Sequence, residues 1–142
     1  MSIIYKENMM DFYGFYTGKI FDAYKYLGAH VEEKGVTFRT FAPSASLIGE
    51  FNDWQEWEMN KVSDGNFWEC YVPQAKAGQM YKYKIYDRNS NPVDHCDPYG
   101  FGMELRPSSA SIIRDMSKYK FKDSQWLQNR SDCRKKPLNI YE

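Results

Sequence analysis

From Gly35 onward, apolar and polar positions alternate in short bursts, and each burst ends at a turn residue. "VTFRTFAP" (36–43) sets Val36 and Phe38 on one face and stops at Pro43. "SLIGEF" (46–51) is the next apolar run. "NFWECYVP" (66–73) follows the turn "SDG" and again stops at a proline. "QMYKYKIYD" (79–87) has the clearest period of two, and the "RNSN" after it reads as a hairpin turn. "SASIIRD" (109–115) supplies a last strand. A period of two over four to eight residues, bounded by Gly, Pro, Asn and Asp, predicts half-buried strands. Several such strands in close succession predict an all-β fold, an antiparallel sandwich of the immunoglobulin kind.

The flanks differ. Residues 1–15 show no clean period. "IFDAYKYLG" (20–28) places Ile20, Phe21, Tyr24 and Leu27 at helical spacing, which predicts a short helix entered after Thr17-Gly18 and stopped at Gly28. "DSQWLQN" (123–129) predicts one or two helical turns with Asp123 as N-cap. "RSDCRKKP" (130–137) is polar and basic and reads as a linker, and "LNIY" (138–141) begins a strand-like apolar run at the end of the chain. The organisation expected is an extension with a short helix over 1–30, a sandwich over 31–115, and a linker with the start of a further domain over 116–142. There is no internal repeat and no low-complexity tract.

Charge narrows the partners. Lys plus Arg and Asp plus Glu each number 19 in 142 residues, so the formal net charge is zero. Backbone binding to nucleic acid rests on clustered positive charge, and a polybasic membrane anchor needs the same. Neither is expected here. No run approaches the ~20 apolar residues that cross a bilayer, and the N-terminus lacks the apolar core of a signal peptide. A cytoplasmic location follows as the expectation. Cys70, Cys96 and Cys133 are an odd, widely spaced set, a poor disulfide framework suited to a reducing compartment. Cys70 alternates with Trp68 and Val72, which predicts a buried small hydrophobe.

Candidate catalytic chemistry is sparse. His30 has no acid or nucleophile pattern around it and reads as a structural or surface histidine. "DHCD" (94–97) collects possible metal ligands, but adjacent strand residues point to opposite faces, so no metal site is expected. There is no Gly-rich phosphate loop before a helix and no nucleophile elbow, and the carboxylates are scattered. By itself the chain is expected to be no enzyme and to take no cofactor.

Aromatic content, at 18% with 12 Tyr and 4 Trp, is the unusual quantity. Part of it fills strands. Tyr and Trp also suit surfaces that are apolar on one side and wet at the edge, as sugar rings are. Alternation in "YKYKIYD" puts Tyr81, Tyr83 and Ile85 on a core face and Lys82, Lys84 and Tyr86 on a wetted one. The turn "GEFNDW" (49–54) ends in Trp54, and Trp57 follows. An exposed indole with a lysine beside it can clamp a glucose ring, the indole by stacking and the ammonium by donating to hydroxyls. Core filling or a domain contact is the alternative for Trp54.

Several segments follow one another in a recognisable order: "LGAH" (27–30), "TFRTFAPSA" (37–45), "LIGEFNDW" (47–54), "FWECYVPQAKAGQMYKYKI" (67–85), "DPYGF" (97–101), "RPSSASII" (106–113) and "NIYE" (139–142). From about Phe15 onward the chain resembles the N-terminal, non-catalytic part of bacterial-type glycogen (1,4-α-glucan) branching enzymes. That part contains a carbohydrate-binding module of family 48 with an early-set immunoglobulin-like sandwich. "G-x-F-N-x-W" and "Y-K-Y" are shared across the wider family, whereas "Y-x-x-L-G-A-H", "F-A-P-x-A", "D-P-Y" and "R-P-x-x-A-S" point to branching enzymes. The resemblance implies α-1,4-glucan (glycogen, starch or maltooligosaccharide) as ligand and a catalytic barrel in cis, with the catalytic carboxylates beyond Glu142. A related module, in the β subunit of AMP-activated protein kinase, holds glucan with two tryptophans, a lysine and polar residues of the last strand. Trp54 matches its first tryptophan and Lys82 its lysine, with Ser108 in a polar position; Tyr86 joins them from the wetted face. The chain departs from that pattern in having no Trp over 91–94 and an alanine at Ala110. The alternatives left open are a structural module supporting the barrel and a stand-alone glycogen sensor.

Overall fold

The computed structural model describes residues 9–63, 65–133, 135, 137, 140 and 141. Among the described residues, nine strands form two antiparallel sheets. The strands are β1 (Gly28–Val31), β2 (Val36–Phe41), β3 (Ser46–Gly49), β4 (Trp57–Glu58), β5 (Asn60–Lys61), β6 (Phe67–Val72), β7 (Met80–Tyr86), β8 (Pro92–His95) and β9 (Ser111–Ile112). The first sheet runs β1-β2-β6-β5, and the second runs β4-β3-β7-β8 with β9 also on β7. Two helices flank them, α1 (Phe12–Tyr16) and α2 (Ser124–Cys133). The expected all-β sandwich is therefore the architecture.

The core lies between the sheets. Val36, Phe38 and Val72 of the first sheet meet Leu47, Tyr81 and Tyr83 of the second, all buried. Cys70 belongs to the same layer, and burial pushes its thiol up to about 12. The two core tyrosines bring hydroxyls into an apolar interior, where an unpaired hydroxyl is costly. Asp97 answers both: its Oδ2 accepts from Tyr81 at 2.7 Å and from Tyr83 at 3.3 Å, while Oδ1 accepts from the Tyr99 backbone at 2.8 Å. Burial raises the Asp97 carboxyl above its ordinary value, with these hydrogen bonds acting the other way.

The N-terminal segment differs from expectation. The residues at helical spacing over 20–27 form only a 3-10 turn, Ala23–Lys25. The helix lies earlier, where Asp11 caps α1 by accepting from the Gly14 N–H at 2.9 Å. Gly28, read as a helix stop, opens β1 with φ +103, and a Cβ there would meet the Tyr99 carbonyl oxygen at 2.8 Å. β1 pairs with β2 from Gly28 to Val31, so it crosses the division expected at residue 30. Pairing and burial have overridden a short amphipathic pattern that lacked strong caps.

This segment covers the outer face of the first sheet. Phe67 and Phe41 are paired on that face, and Phe12, Phe15 and Tyr16 pack over Phe67 with centroids 4.6, 5.2 and 5.8 Å away. Arg39 pairs with Glu69 and lies 4.6 Å from the centroid of the Tyr26 ring. The outer face of the second sheet carries Lys82 and Lys84 instead. Beyond the sandwich, α2 begins directly after Asp123 and runs on through the first four residues of the stretch read as a linker, exposed along its described length. The "LNIY" run lies partly outside the described residues.

Candidate functional site

β3 ends at Gly49, and a 3-10 turn over Glu50–Asn52 leads to Asp53 and Trp54. Both take the left-handed conformation, with φ 55 and 58. That region is uncommon for any residue but glycine and is an outlier for a bulky one; it costs roughly 1–3 kcal/mol per residue. Local hydrogen bonds hold it. Asn52 Oδ1 accepts from the Gly49 N–H at 3.3 Å, Asn52 Nδ2 donates to the Gln55 carbonyl at 2.6 Å, and the Trp54 N–H donates to the Gly49 carbonyl at 2.9 Å. Glu50 adds a tie to β7 by accepting from the Met80 N–H at 2.8 Å. The strained turn leaves Trp54 40% exposed.

The second indole of the pair goes inward. Trp57 pairs with Leu47 and packs against the core. Trp68, also against the core, donates its indole N–H to the Ala42 carbonyl at 2.9 Å.

Across β3, Gly49 pairs with Tyr81 and Ile48 with Lys82. Lys82 thus stands on the outer face one register position from the residue that anchors Trp54. Ile48 on the same face is only 3% exposed, so the floor there is apolar and covered. Among the described residues, no hydrogen bond or ion pair engages the Lys82 ammonium. Lys84, two residues on, is held: its Nζ is 3.8 Å from Glu56 and 3.7 Å from Asp94. Two chemically identical side chains on one face are therefore in different states, one occupied and one available.

Tyr86 closes the row. Its hydroxyl donates to Glu56, 2.7 Å from Oε1 and 2.8 Å from Oε2, and this bond raises the phenol above the ordinary tyrosine value. Its backbone is fixed to Ser44, whose Oγ accepts from the Tyr86 N–H at 3.0 Å. Ser108 lies in an exposed loop three residues before β9. The register Tyr81↔Ser111, continued one step, brings buried Ala110 toward Lys82 rather than Ser108. The fold thus puts Lys82 and Tyr86 on the outer face of the second sheet, leaves Trp54 in the turn that follows β3, and sets Ser108 apart in its loop.

The residues of "DHCD" disperse. Asp94 serves Lys84, Asp97 serves the core tyrosines, and His95 is exposed on β8. His30 Nε2 lies 3.0 Å from the Leu27 carbonyl oxygen, and its ring meets Phe101 edge to face. His30 and Phe101 line a cleft of about 370 Å³ together with Tyr24, Arg114 and Met116, and none of the candidate residues is in its wall. Sequence reasoning did not single out Glu56. The available signal was its position next to inward-facing Trp57, which places a carboxylate on the face that carries Lys84.

A family model described as carbohydrate-binding module 48 (isoamylase N-terminal domain) matches residues 26–100. A 1,4-alpha-glucan branching enzyme of Fusobacterium nucleatum is 38% identical over 99% of this chain and 24% of its own length. One of Francisella tularensis is 38% identical over 93% of this chain and 23% of its own. The chain spans about a quarter of the length of the curated relatives it matches. Among solved structures, a pullulanase of Anoxybacillus complexed with maltotetraose superposes with a TM-score of 0.56 at 22% identity. It covers 67% of this chain and 14% of the pullulanase, a likeness of fold.

Proposed function

The chain belongs to the carbohydrate-binding module 48 family, and from that premise we propose that it binds α-1,4-glucan on the outer face of its second sheet. Trp54 is the stacking plane for the apolar face of a glucose ring, and Lys82 donates to the hydroxyls at its rim. Tyr86 flanks the ring on the same face, and Ser108 reaches it only from its loop. The observation that carries this reading is Trp54 itself: a half-exposed indole in a turn with two successive left-handed residues, at the end of the strand that pairs with Lys82. Backbone strain of this kind persists where the surroundings hold it, and it concentrates at binding sites. Isothermal titration with maltoheptaose tests the reading. Saturable binding that Trp54→Ala weakens supports it; absence of heat at millimolar sugar in a folded sample overturns it.

We further propose that the chain works in the cytoplasm as the glucan-positioning part of a glycogen branching enzyme, whose catalytic barrel moves α-1,4-linked segments into 1,6-branches. Its likeness over nearly its whole length to branching enzymes supports this. In this reading residues 1–30 are an extension tied to the sandwich through β1, 31–115 the binding module, and 116–142 the connection to the barrel.

A second reading, a module that braces the barrel, is favoured by the apolar side chains left open away from Trp54. Phe21 is 91% and Leu105 89% exposed. Side chains of this kind suit a contact with a partner domain. The two readings separate when this chain and the barrel are expressed apart: bracing predicts that the barrel alone is unstable, and glucan positioning predicts that it is stable but weak on long chains. A stand-alone glycogen sensor is the remaining reading, tested by whether the native reading frame stops at Glu142.

A further inference from the structure

We propose that Glu56 positions the Trp54 loop, and so sets the affinity of the indole for glucan, by bridging that loop to Tyr86 and Lys84 of β7. The inference rests on the glucan-binding reading of Trp54 and goes beyond it by naming the residue that holds the platform in place.

The loop from Gly49 to Trp57 is fixed at its start by the Trp54–Gly49 and Glu50–Met80 hydrogen bonds, and at its end by Trp57, which packs against the core. Between them, Glu56 is the side chain that crosses the outer face. It passes over β3 and receives the Tyr86 hydroxyl at 2.7 and 2.8 Å, with the Lys84 ammonium at 3.8 Å. A hydrogen bond to an ionised acceptor is roughly twice as strong as a neutral one. Two partners on alternate residues of one strand also fix direction as well as distance. Asp94 shares Lys84 from the other side, which keeps that ammonium centred between the two carboxylates. Lys82 is left outside this arrangement. The same bridge thus steadies the loop that carries the stacking plane and occupies Lys84, while Lys82 makes no hydrogen bond or ion pair among the described residues. A loop that must order on binding loses affinity, and one ordered beforehand does not.

The test uses the 142-residue chain as Glu56→Ala, Glu56→Gln and Tyr86→Phe. Two readouts are taken: 15N relaxation of the Trp54 indole N–H without sugar, and the Kd for maltoheptaose. The expected result is a more mobile indole and a three- to tenfold weaker Kd in Glu56→Ala. Glu56→Gln keeps an acceptor for Tyr86 and recovers part of both. Tyr86→Phe loses less than Glu56→Ala, because Lys84 still holds the carboxylate. Unchanged indole relaxation in Glu56→Ala overturns the proposal, as does a mobile indole with unchanged Kd. If the wild-type chain binds no glucan, the binding reading falls. The anchoring of Trp54 by Glu56 is then still decided by the relaxation data alone.

Discussion

The N–H of Trp54 donates to the carbonyl oxygen of Gly49 across 2.9 Å, and through that bond the indole is carried on the end of β3. Gly49 is paired with Tyr81, next to Lys82. The turn that carries the platform and the strand that carries the ammonium thus start from the same register. This relationship makes the binding reading quantitative. Trp54→Ala should cost about 1–3 kcal/mol of glucan binding, by analogy with base stacking on aromatics. Lys82→Ala should cost about 0.5–1.5 kcal/mol, since its hydrogen bonds exchange with water. Titration calorimetry of the two variants gives the order; a larger loss from Lys82→Ala would contradict it.

Gly49 also tolerates no side chain. Its φ of −179 is open to any residue, so the restriction is steric. A Cβ there would meet the Phe51 ring at 2.5 Å and the Met80 carbonyl oxygen at 2.8 Å, and the carbonyl belongs to the paired strand. Gly49→Ala should lower stability by about 1–3 kcal/mol, as overpacking does, and weaken glucan binding with it. Urea unfolding measures the first, and an unchanged midpoint would mean that β3 and β7 can part without loss.

Phe67 is the test of the N-terminal cover. It is buried on the outer face of the first sheet beneath Phe12 and Phe15. Phe67→Ala should lose about 3–5 kcal/mol of stability. Phe21→Ala, at an exposed site, should stay within about 0.5 kcal/mol. Equal effects of the two substitutions in thermal unfolding would show that α1 does not seal that face.

Alkaline pH should weaken the fold through Cys70. Burial first, and the charge of Glu69 second, push its thiol up to about 12 from 9.0. The folded value lies above the unfolded one. The contribution is therefore intact below pH 9 and is lost as pH rises from there toward 12. Unfolding free energy should fall across that window, and Cys70→Ala should flatten the slope by up to about 1.4 kcal/mol per pH unit. Identical slopes for the two proteins in urea titrations at stepped pH would refute the assignment.

The long strands were legible because Val, Phe and Tyr alternate with polar residues at period two, as Tyr81, Lys82 and Tyr83 do. β8 was not, because Pro92–His95 is exposed on both sides and carries no apolar alternation; its pairing with β7 makes it a strand. β1 was hidden because "LGAH" ends a helix-like pattern, while the partners that make it a strand, Val36 to Arg39, lie beyond a turn, five to eleven residues away. The two indoles beside the turn could not be told apart by composition. What separates them is backbone conformation: Asp53 and Trp54 turn left-handed, and the chain then re-enters a sheet with Trp57 facing in. Glu56 gave no such signal because its partners Lys84 and Tyr86 lie far away in sequence and are brought to it by register alone.

The most direct test of the account is a titration of the chain with maltoheptaose, followed by NMR of the four tryptophan indole N–H signals. The account predicts a saturating shift of the Trp54 signal, with the signals of Trp57 and Trp68 nearly still in the core. No movement of the Trp54 signal at millimolar sugar, in a folded sample, would contradict it.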